Sequence, residues 1–365
     1  MSAAMKRKQL ELNVDKCCII VFDKKNEART QREAINKNKS ITIGENIVKA
    51  KIQNKYLGDF LNEGGLRKSV VATISDRYGK AFNAIKEIGA VISDFRIDAI
   101  GGLKAGMDIF EMVVIPSVLN NSGMWVEIDR ASINRLEDLQ NWMFKNLLAV
   151  PHCVPTPSLR YELGCLSMEE RIHSQKLNLL FHIRNLDSSS LAKEIYELQR
   201  DLNYPGLVKE CRSLIIKYDL PNIIDNATIM TKLGWKNMVK RKITKHAEEN
   251  LKGQFQHYTK LKDGPLMEAN FEIQPYVKTM KLRNARTMFR IRTMMTPAKF
   301  NRKSDPTYSS ELWKCDSCQK IDSQSHILWC PQFSSLREGK NIMDDDDLVQ
   351  YIQKVFKIRE DMEDS

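Results

Sequence analysis

The hydrophobic pattern changes character along the chain, from short apolar runs to long helical periodicity. Cys17-Cys18-Ile19-Ile20-Val21-Phe22 has the length and composition of a buried strand. Ile41-Thr42-Ile43, then Gly44-Glu45-Asn46, then Ile47-Val48 predicts a small hairpin, because turn formers separate two β-branched runs. Lys55-Tyr56-Leu57-Gly58 closes this set of strands, and the connection over residues 23–40 is charged with no apolar face. From Leu66 onward the spacing is helical. Over residues 129–148, Ile133, Leu136, Leu139, Met143 and Leu147 share one face. Thr156-Pro157 predicts a helix start, with Thr156 as cap and Pro157 as first helical residue, and Gly164 predicts its stop. Ser167-Met168-Glu169-Glu170 is a capping box, opening a helix whose apolar face holds Leu177, Leu180 and Phe181.

A further amphipathic helix is predicted over residues 281–295. Leu282, Ala285, Met288 and Phe289 occupy one side, and Arg283, Arg286 and Arg290 form a stripe on the other. Such a helix docks on a core and turns three guanidinium groups outward. Arginine suits phosphate because its planar fork donates two hydrogen bonds at once. An ordinary surface helix carries the same pattern. No internal repeat is visible, and the one low-complexity run, Asp344 to Asp347, has no strand pattern and reads as solvated.

Charge sharpens this picture. The formal net charge is +11 over 365 residues, a length that suits about two domains. Residues 232–303 hold 18 basic and 5 acidic side chains, so +13 in 72 residues, whereas residues 331–365 hold 5 basic and 9 acidic, so −4. The basic block suits RNA or DNA as partner, and a solvated surface that happens to be lysine-rich carries the same balance. The start of the chain is polar, unlike a signal peptide. The uncharged stretch 112–126 is 15 residues long and broken by Pro116, Asn120 and Asn121, short of the ~20 apolar residues of a membrane span. The expected location is intracellular and nuclear, and the eight cysteines then serve as free thiols or metal ligands.

Four ligand-type residues fall in one window. Cys315-Asp316-Ser317-Cys318 is followed by His326 and Cys330, a spacing of C-x2-C-x7-H-x3-C. Two cysteines two residues apart reach one metal ion from a tight turn, and a later histidine and cysteine complete a tetrahedron. Zinc prefers that set, and four protein ligands leave no position for water, so the expected role of Zn2+ is structural. The remaining cysteines and histidines are scattered. His152-Cys153 and Cys165 with His173 read as core cysteine and surface histidine. Phe289, Trp313 and Trp329 are candidate stacking aromatics, and the two tryptophans could instead pack under the site, an alternative favoured for Trp329 because it adjoins a ligand.

Several segments resemble the C-terminal portion of the non-LTR (LINE-type) retrotransposon reverse transcriptases. Leu12-Asn13-Val14-Asp15-Lys16-Cys17 is similar to polymerase motif D, usually L-N-x-x-K-T, with Cys17 in place of threonine. Tyr56-Leu57-Gly58 resembles the primer-grip Y-L-G. Ile115-Pro116 with Trp125, the helix around Leu136-Glu137-Asp138-Leu139-Gln140, and Pro155-Thr156-Pro157 with Glu162-Leu163-Gly164 resemble the region beyond the palm. The Cys315, Cys318, His326 and Cys330 cluster is similar to the family's terminal zinc module. The collinear order covers nearly the whole chain.

The resemblance implies an α+β fold, mostly helical: a palm and primer-grip remnant at 1–65, a helical thumb or connector at 66–230, a basic helical region at 231–310, a CCHC zinc module at 311–335 and an acidic tail at 336–365. It also implies a departure. The Y-x-D-D carboxylates that hold two catalytic metal ions do not occur in this sequence. Lys16 matches the motif D lysine, thought to protonate the departing pyrophosphate, but lacks its partners. The expectation is therefore a truncated RNA-directed DNA polymerase region that binds nucleic acid and zinc, holds no catalytic Mg2+ and is inactive alone. The alternatives are a protein–protein adaptor with a structural zinc site, or one part of an active enzyme whose N-terminal catalytic half lies elsewhere.

Overall fold

A computed structural model describes residues 17–20, 40–43, 46–94, 99–151, 154–226, 230–258, 261, 264–302 and 309–363. Leu12 to Lys16 of the motif D-like segment, Phe22, and the pair His152-Cys153 lie outside them. The protein is mostly helical, with two antiparallel sheets of two strands each among the described residues.

The first predicted hairpin forms: β1 (Ser40–Ile43) pairs with β2 (Asn46–Lys49), Ser40 opposite Lys49. Within the apolar run at the start, Ile19 makes a parallel bridge to Ala50. β3 (Gln53–Tyr56) pairs with β4 (Asp59–Asn62). The primer-grip-like Tyr56, Leu57 and Gly58 thus sit at the tip of a second hairpin, Leu57 and Gly58 being its two-residue turn with φ of +49° and +91°. Positive φ at both positions matches the twist of the flanking strands. Gly58 adopts it freely, whereas Leu57 does so at a cost of roughly 1–2 kcal/mol.

α1 (Leu66–Asp94) follows. α2 (Gly102–Ile109) continues through a π turn (Phe110–Val114) into α3 (Ile115–Leu119). Pro116 explains the wide turn: it has no N–H and its ring excludes the carbonyl four residues back. α4 (Arg130–Leu148) starts where Asp129 accepts the Ser132 N–H at 2.7 Å. α5 (Thr156–Glu162) begins one residue earlier than the proline pattern predicts, with Pro155 at the cap. It stops at Gly164, whose φ is +60° and where a Cβ would stand 2.5 Å from the backbone of Glu272 and Ile273. Only glycine meets both demands.

The capping box opens α6 (Met168–Arg184): Ser167 N–H donates to Glu170 Oε2 at 2.8 Å, and Glu170 N–H donates to Ser167 Oγ at 3.1 Å. Then come α7 (Leu191–Asp201), α8 (Leu207–Lys217) and α9 (Lys232–Phe255). α9 buries Trp235, Val239, Ile243, Ala247, Leu251 and Phe255, one residue in four. α10 (Pro275–Thr279), α11 (Leu282–Arg292), α12 (Gln324–Trp329), α13 (Ser334–Arg337) and α14 (Asp345–Glu363) complete the chain. The aspartate run is a helix start. Asp344 Oδ1 accepts the N–H groups of Asp346 and Asp347 at 3.0 and 3.1 Å, and Asp345, Asp346 and Asp347 fill the first turn, where the helix dipole favours negative charge.

Two compact units are assembled from interleaved stretches. The first is Met1–Phe82, Ser117–Leu136 and Ile172–Val239; the second is Asn83–Pro116, Glu137–Arg171 and Lys240–Ser365. In the first, the β3–β4 hairpin lies on α1, and Trp235 stacks on Phe181 at 5.3 Å while its indole N–H donates to Leu177 O at 3.1 Å. In the second, Tyr161, Phe255, Leu261, Leu266 and Phe271 form one apolar cluster. Glu162, fully buried, accepts from Arg292 Nε at 2.9 and 3.0 Å, tying the end of α5 to the end of α11. No helix among the described residues is long and apolar enough to cross a membrane.

Candidate metal centre

The four residues singled out by spacing converge. One ligand atom from each of Cys315, Cys318, His326 and Cys330 lies within 4.8 Å of all the others. Cys315 Sγ is 3.9 Å from Cys330 Sγ, and Cys318 Sγ is 3.3 Å from His326 Nε2.

The local chain explains why. Lys314 and Ile321 pair across a narrow antiparallel turn, closed by Cys315 N–H to Lys320 O at 2.8 Å and Gln319 N–H to Cys315 O at 2.9 Å. Gln319 completes the reversal with a φ of +58°. This turn carries both cysteines of the C-x2-C pair. Ser323 then caps α12, its Oγ accepting the His326 N–H at 3.1 Å, which sets the histidine in the first turn. Cys330 ends α12 in extended conformation, and Pro331 prevents the helix from continuing.

Backbone amides face the sulfurs. The N–H groups of Cys318 and Ser317 hydrogen-bond Cys315, and that of Gln332 does so to Cys330. Burial by itself would raise the Cys315 thiol, but the hydrogen bond from His326 and these amides outweigh it and hold the thiol at about 7. Cys330 goes the other way: burial, with the nearby Cys315 sulfur, pushes it up to about 11. A cation held between the sulfurs removes that mutual repulsion.

Compared with protein-family models, with curated proteins and with solved structures, the chain gives no match. The geometry of the site therefore carries the functional argument.

Support around the centre comes from residues that sequence spacing did not single out. Tyr351 of α14 donates its hydroxyl to Ile327 O at 2.7 Å, and Arg337 reaches Cys330 O at 3.0 Å. Asp322, fully buried, accepts a bidentate pair of hydrogen bonds from Arg359 at 2.9 and 2.8 Å and the Lys299 N–H at 2.8 Å. The acidic C-terminal segment is thus the helical backing of the centre. The Ser323-x-x-His326 pattern was a legible cap signal; the partners on α14 had none.

Among the described residues, the other cysteines lie outside this cluster. Cys165 and Cys211 are buried and their thiols are pushed up to about 12, first of all by burial, so neither is primed as a nucleophile or ligand. His173 makes a 2.7 Å hydrogen bond with the Tyr218 hydroxyl.

The aromatic and arginine expectations need correction. Trp329 does not pack under the site; it is 62% exposed. Phe289 is fully buried and cannot stack on a base. On α11, Arg283 is exposed, but Arg286 and Arg290 are half-buried. Arg286 Nε donates to Leu147 O at 3.0 Å and Arg290 Nη2 to Ala149 O at 2.6 Å. Both carbonyls belong to the end of α4, where four C=O groups lack helical partners. Two arginines of the stripe therefore cap a helix.

Proposed function

We propose that this protein binds nucleic acid through its second unit, that one structural zinc ion organises residues 314–330, and that the chain does not polymerise DNA by itself. The observation that carries the zinc assignment is the cluster of three sulfurs and one imidazole nitrogen. A tetrahedral zinc with bonds of about 2.3 Å to sulfur and 2.0–2.1 Å to nitrogen spans S···S and S···N edges of about 3.8 and 3.5 Å. The observed 3.9 and 3.3 Å separations fit those edges. Four protein ligands leave no open position for a substrate, so the ion's chemistry is to hold the turn and α12 together. Cys315, Cys318, His326 and Cys330 would be its ligands.

The +13 charge of residues 232–303 and the exposed Trp329 beside the centre support nucleic acid as the partner. The collinear motifs support a relationship with non-LTR reverse transcriptases. The test is binding of a labelled single-stranded RNA across a salt series. Affinity should fall linearly in log–log form, with each phosphate contact contributing a slope of roughly 0.7. Primer extension on an RNA template should give no product; template-dependent extension would refute the last clause.

The adaptor reading is favoured by a separate observation in the first unit. Leu191, Ile195, Leu198 and Leu202 on and just beyond α7 are all exposed, at the 4-3-4 spacing of a coiled-coil seam. A chain that ignores RNA at low salt but self-associates, and loses that association on Leu198→Glu, would establish the adaptor instead.

A further inference from the structure

α11 and α14 enclose a cleft of about 530 Å³ in the second unit, within the ~300–1,000 Å³ range of small-molecule sites. Its walls bear Arg283, Arg286 and Arg290 from α11 and Lys357 from α14, against one carboxylate, Glu360. Pro297 and Phe356 supply apolar surface, Phe356 being half-buried.

The two inner arginines are unusual. Each guanidinium carries five N–H donors, and the α4 carbonyls take one from Arg286 and one from Arg290. Burial, and for Arg286 the neighbouring Arg290 cation, push both below their ordinary range, and no carboxylate among the described residues offsets this. Four cations facing one carboxylate, two of them half-buried and not ion-paired among the described residues, favour an anionic ligand. The anchorage of Arg286 and Arg290 to α4 holds them in place before it arrives.

A second cleft of about 220 Å³ adjoins the first, sharing Pro297, Phe356 and Glu360, and reaches Cys315, Asp316 and Ser317 of the metal turn. Phe356 thus lines both the arginine cleft and the cleft that reaches the metal turn. A phosphate suits the cationic end, and the face of an unpaired base suits Phe356; a base in a duplex has both faces already stacked.

We propose that this cleft binds one nucleotide of a single-stranded nucleic acid, its phosphate among Arg286, Arg290, Arg283 and Lys357 and its base against Phe356. The inference rests on the nucleic-acid reading above and names where, and in which form, the strand is held.

The test compares two substitutions of equal charge on α14 in the full zinc-loaded chain. Lys357→Gln removes a cleft cation; Lys354→Gln removes an exposed one outside the cleft. Arg286 and Arg290 are left intact because they also cap α4. Against a labelled single-stranded RNA, Lys357→Gln should weaken binding about fivefold or more, and Lys354→Gln less than twofold, although both carry the same net charge. Phe356→Leu should cost roughly fivefold, the low end for loss of one stacked base, with zinc content unchanged. Adenosine monophosphate should compete with the RNA more strongly than inorganic phosphate, and a duplex should bind more weakly than either of its strands. Equal effects of the two lysine substitutions, or a duplex bound as tightly as a single strand, would overturn the cleft while leaving nucleic-acid binding intact. A parent protein that binds no RNA at low salt would overturn both.

Discussion

Two short hairpin-like turns in this protein lack enough apolar surface to fold alone, and they are held by different means. The β3–β4 hairpin of the first unit docks on one face of α1. Asn62 N–H donates to Ser69 Oγ at 2.9 Å, Phe60 N–H to Thr73 Oγ1 at 2.8 Å, and Lys55 to Asp76 at 2.7 Å. Arg77 adds Gly58 O at 3.1 Å and Asp59 at 2.9 Å. Residues 69, 73, 76 and 77 share a helical stripe, so one helix presents most of the partners, and Asn121 and Trp125 add hydrogen bonds to Asp59 at 2.8 and 3.4 Å. In the second unit, residues 315–330 are backed by α14 through Tyr351 and Arg359, and four of their own side chains converge on a point. The first solution spreads stability over several bonds. On the zinc reading proposed above, the second concentrates it in one ion, so the two should fail differently.

The largest difference should follow from removing the metal. Zinc contributes ~10–16 kcal/mol to small modules of this kind at neutral pH. A strong chelator, or Cys330→Ser, should abolish bound zinc, expected at about one per chain, and make residues 309–330 the first site of proteolysis. Amide protection in β3 and β4 should not change. Retained zinc in Cys330→Ser would break the comparison at its base.

Next comes Arg77, whose side chain is 8% exposed and pairs with Asp59. Arg77→Ala leaves that carboxylate and Gly58 O without their cation and should destabilise the first unit by about 3–5 kcal/mol in denaturant unfolding. Zinc stoichiometry should be unaffected. Thr73→Ala is a smaller version of the same cut: one strand N–H loses its acceptor, for about 1–3 kcal/mol. A loss as large as that of Arg77→Ala would mean that the hairpin fails all at once.

On the other side of the comparison, Asp344→Ala removes the cap of α14, which backs the metal centre, and should cost about 1 kcal/mol by thermal unfolding. If zinc affinity fell with it, the centre would depend on its helical backing as the hairpin depends on α1.

Acid should give the smallest effect on the hairpin. Hydrogen bonds from Lys55 and then Lys80 hold the Asp76 carboxyl below its ordinary value of 3.8. Its contribution is fully present above that value and is lost as pH falls through the lower folded-state value. The metal turn behaves otherwise, because protons compete directly for three sulfurs and an imidazole. Zinc release monitored with a chromogenic chelator should therefore precede loss of hairpin protection in an acid titration.

Legibility in the sequence followed distance along the chain. The capping box at Ser167 and Glu170, the β1–β2 hairpin and the metal cluster all join residues at most 15 positions apart. The β3–β4 turn was harder, because Leu57 occupies a left-handed position where glycine or asparagine would have announced it. The aspartate run had a local cap signal that its charge obscured.

What the sequence by itself determined is chemistry between near neighbours: which atoms can ligate one metal, where a helix can start, where only glycine can end one. Such groups lie within one or two turns of chain, so residue type and spacing suffice to bring them together. The fate of the arginine stripe was decided only by tertiary structure. Its pattern on α11 is the same whether the guanidiniums face water or a carbonyl, and the carbonyls that Arg286 and Arg290 meet lie 139 and 141 residues away. The same holds for the cleft shared by α11 and α14, for Asp322 and Arg359, and for Trp329, left in solvent beside the metal centre. Each depends on which elements pack together, and periodicity shows that a face is available without showing what covers it.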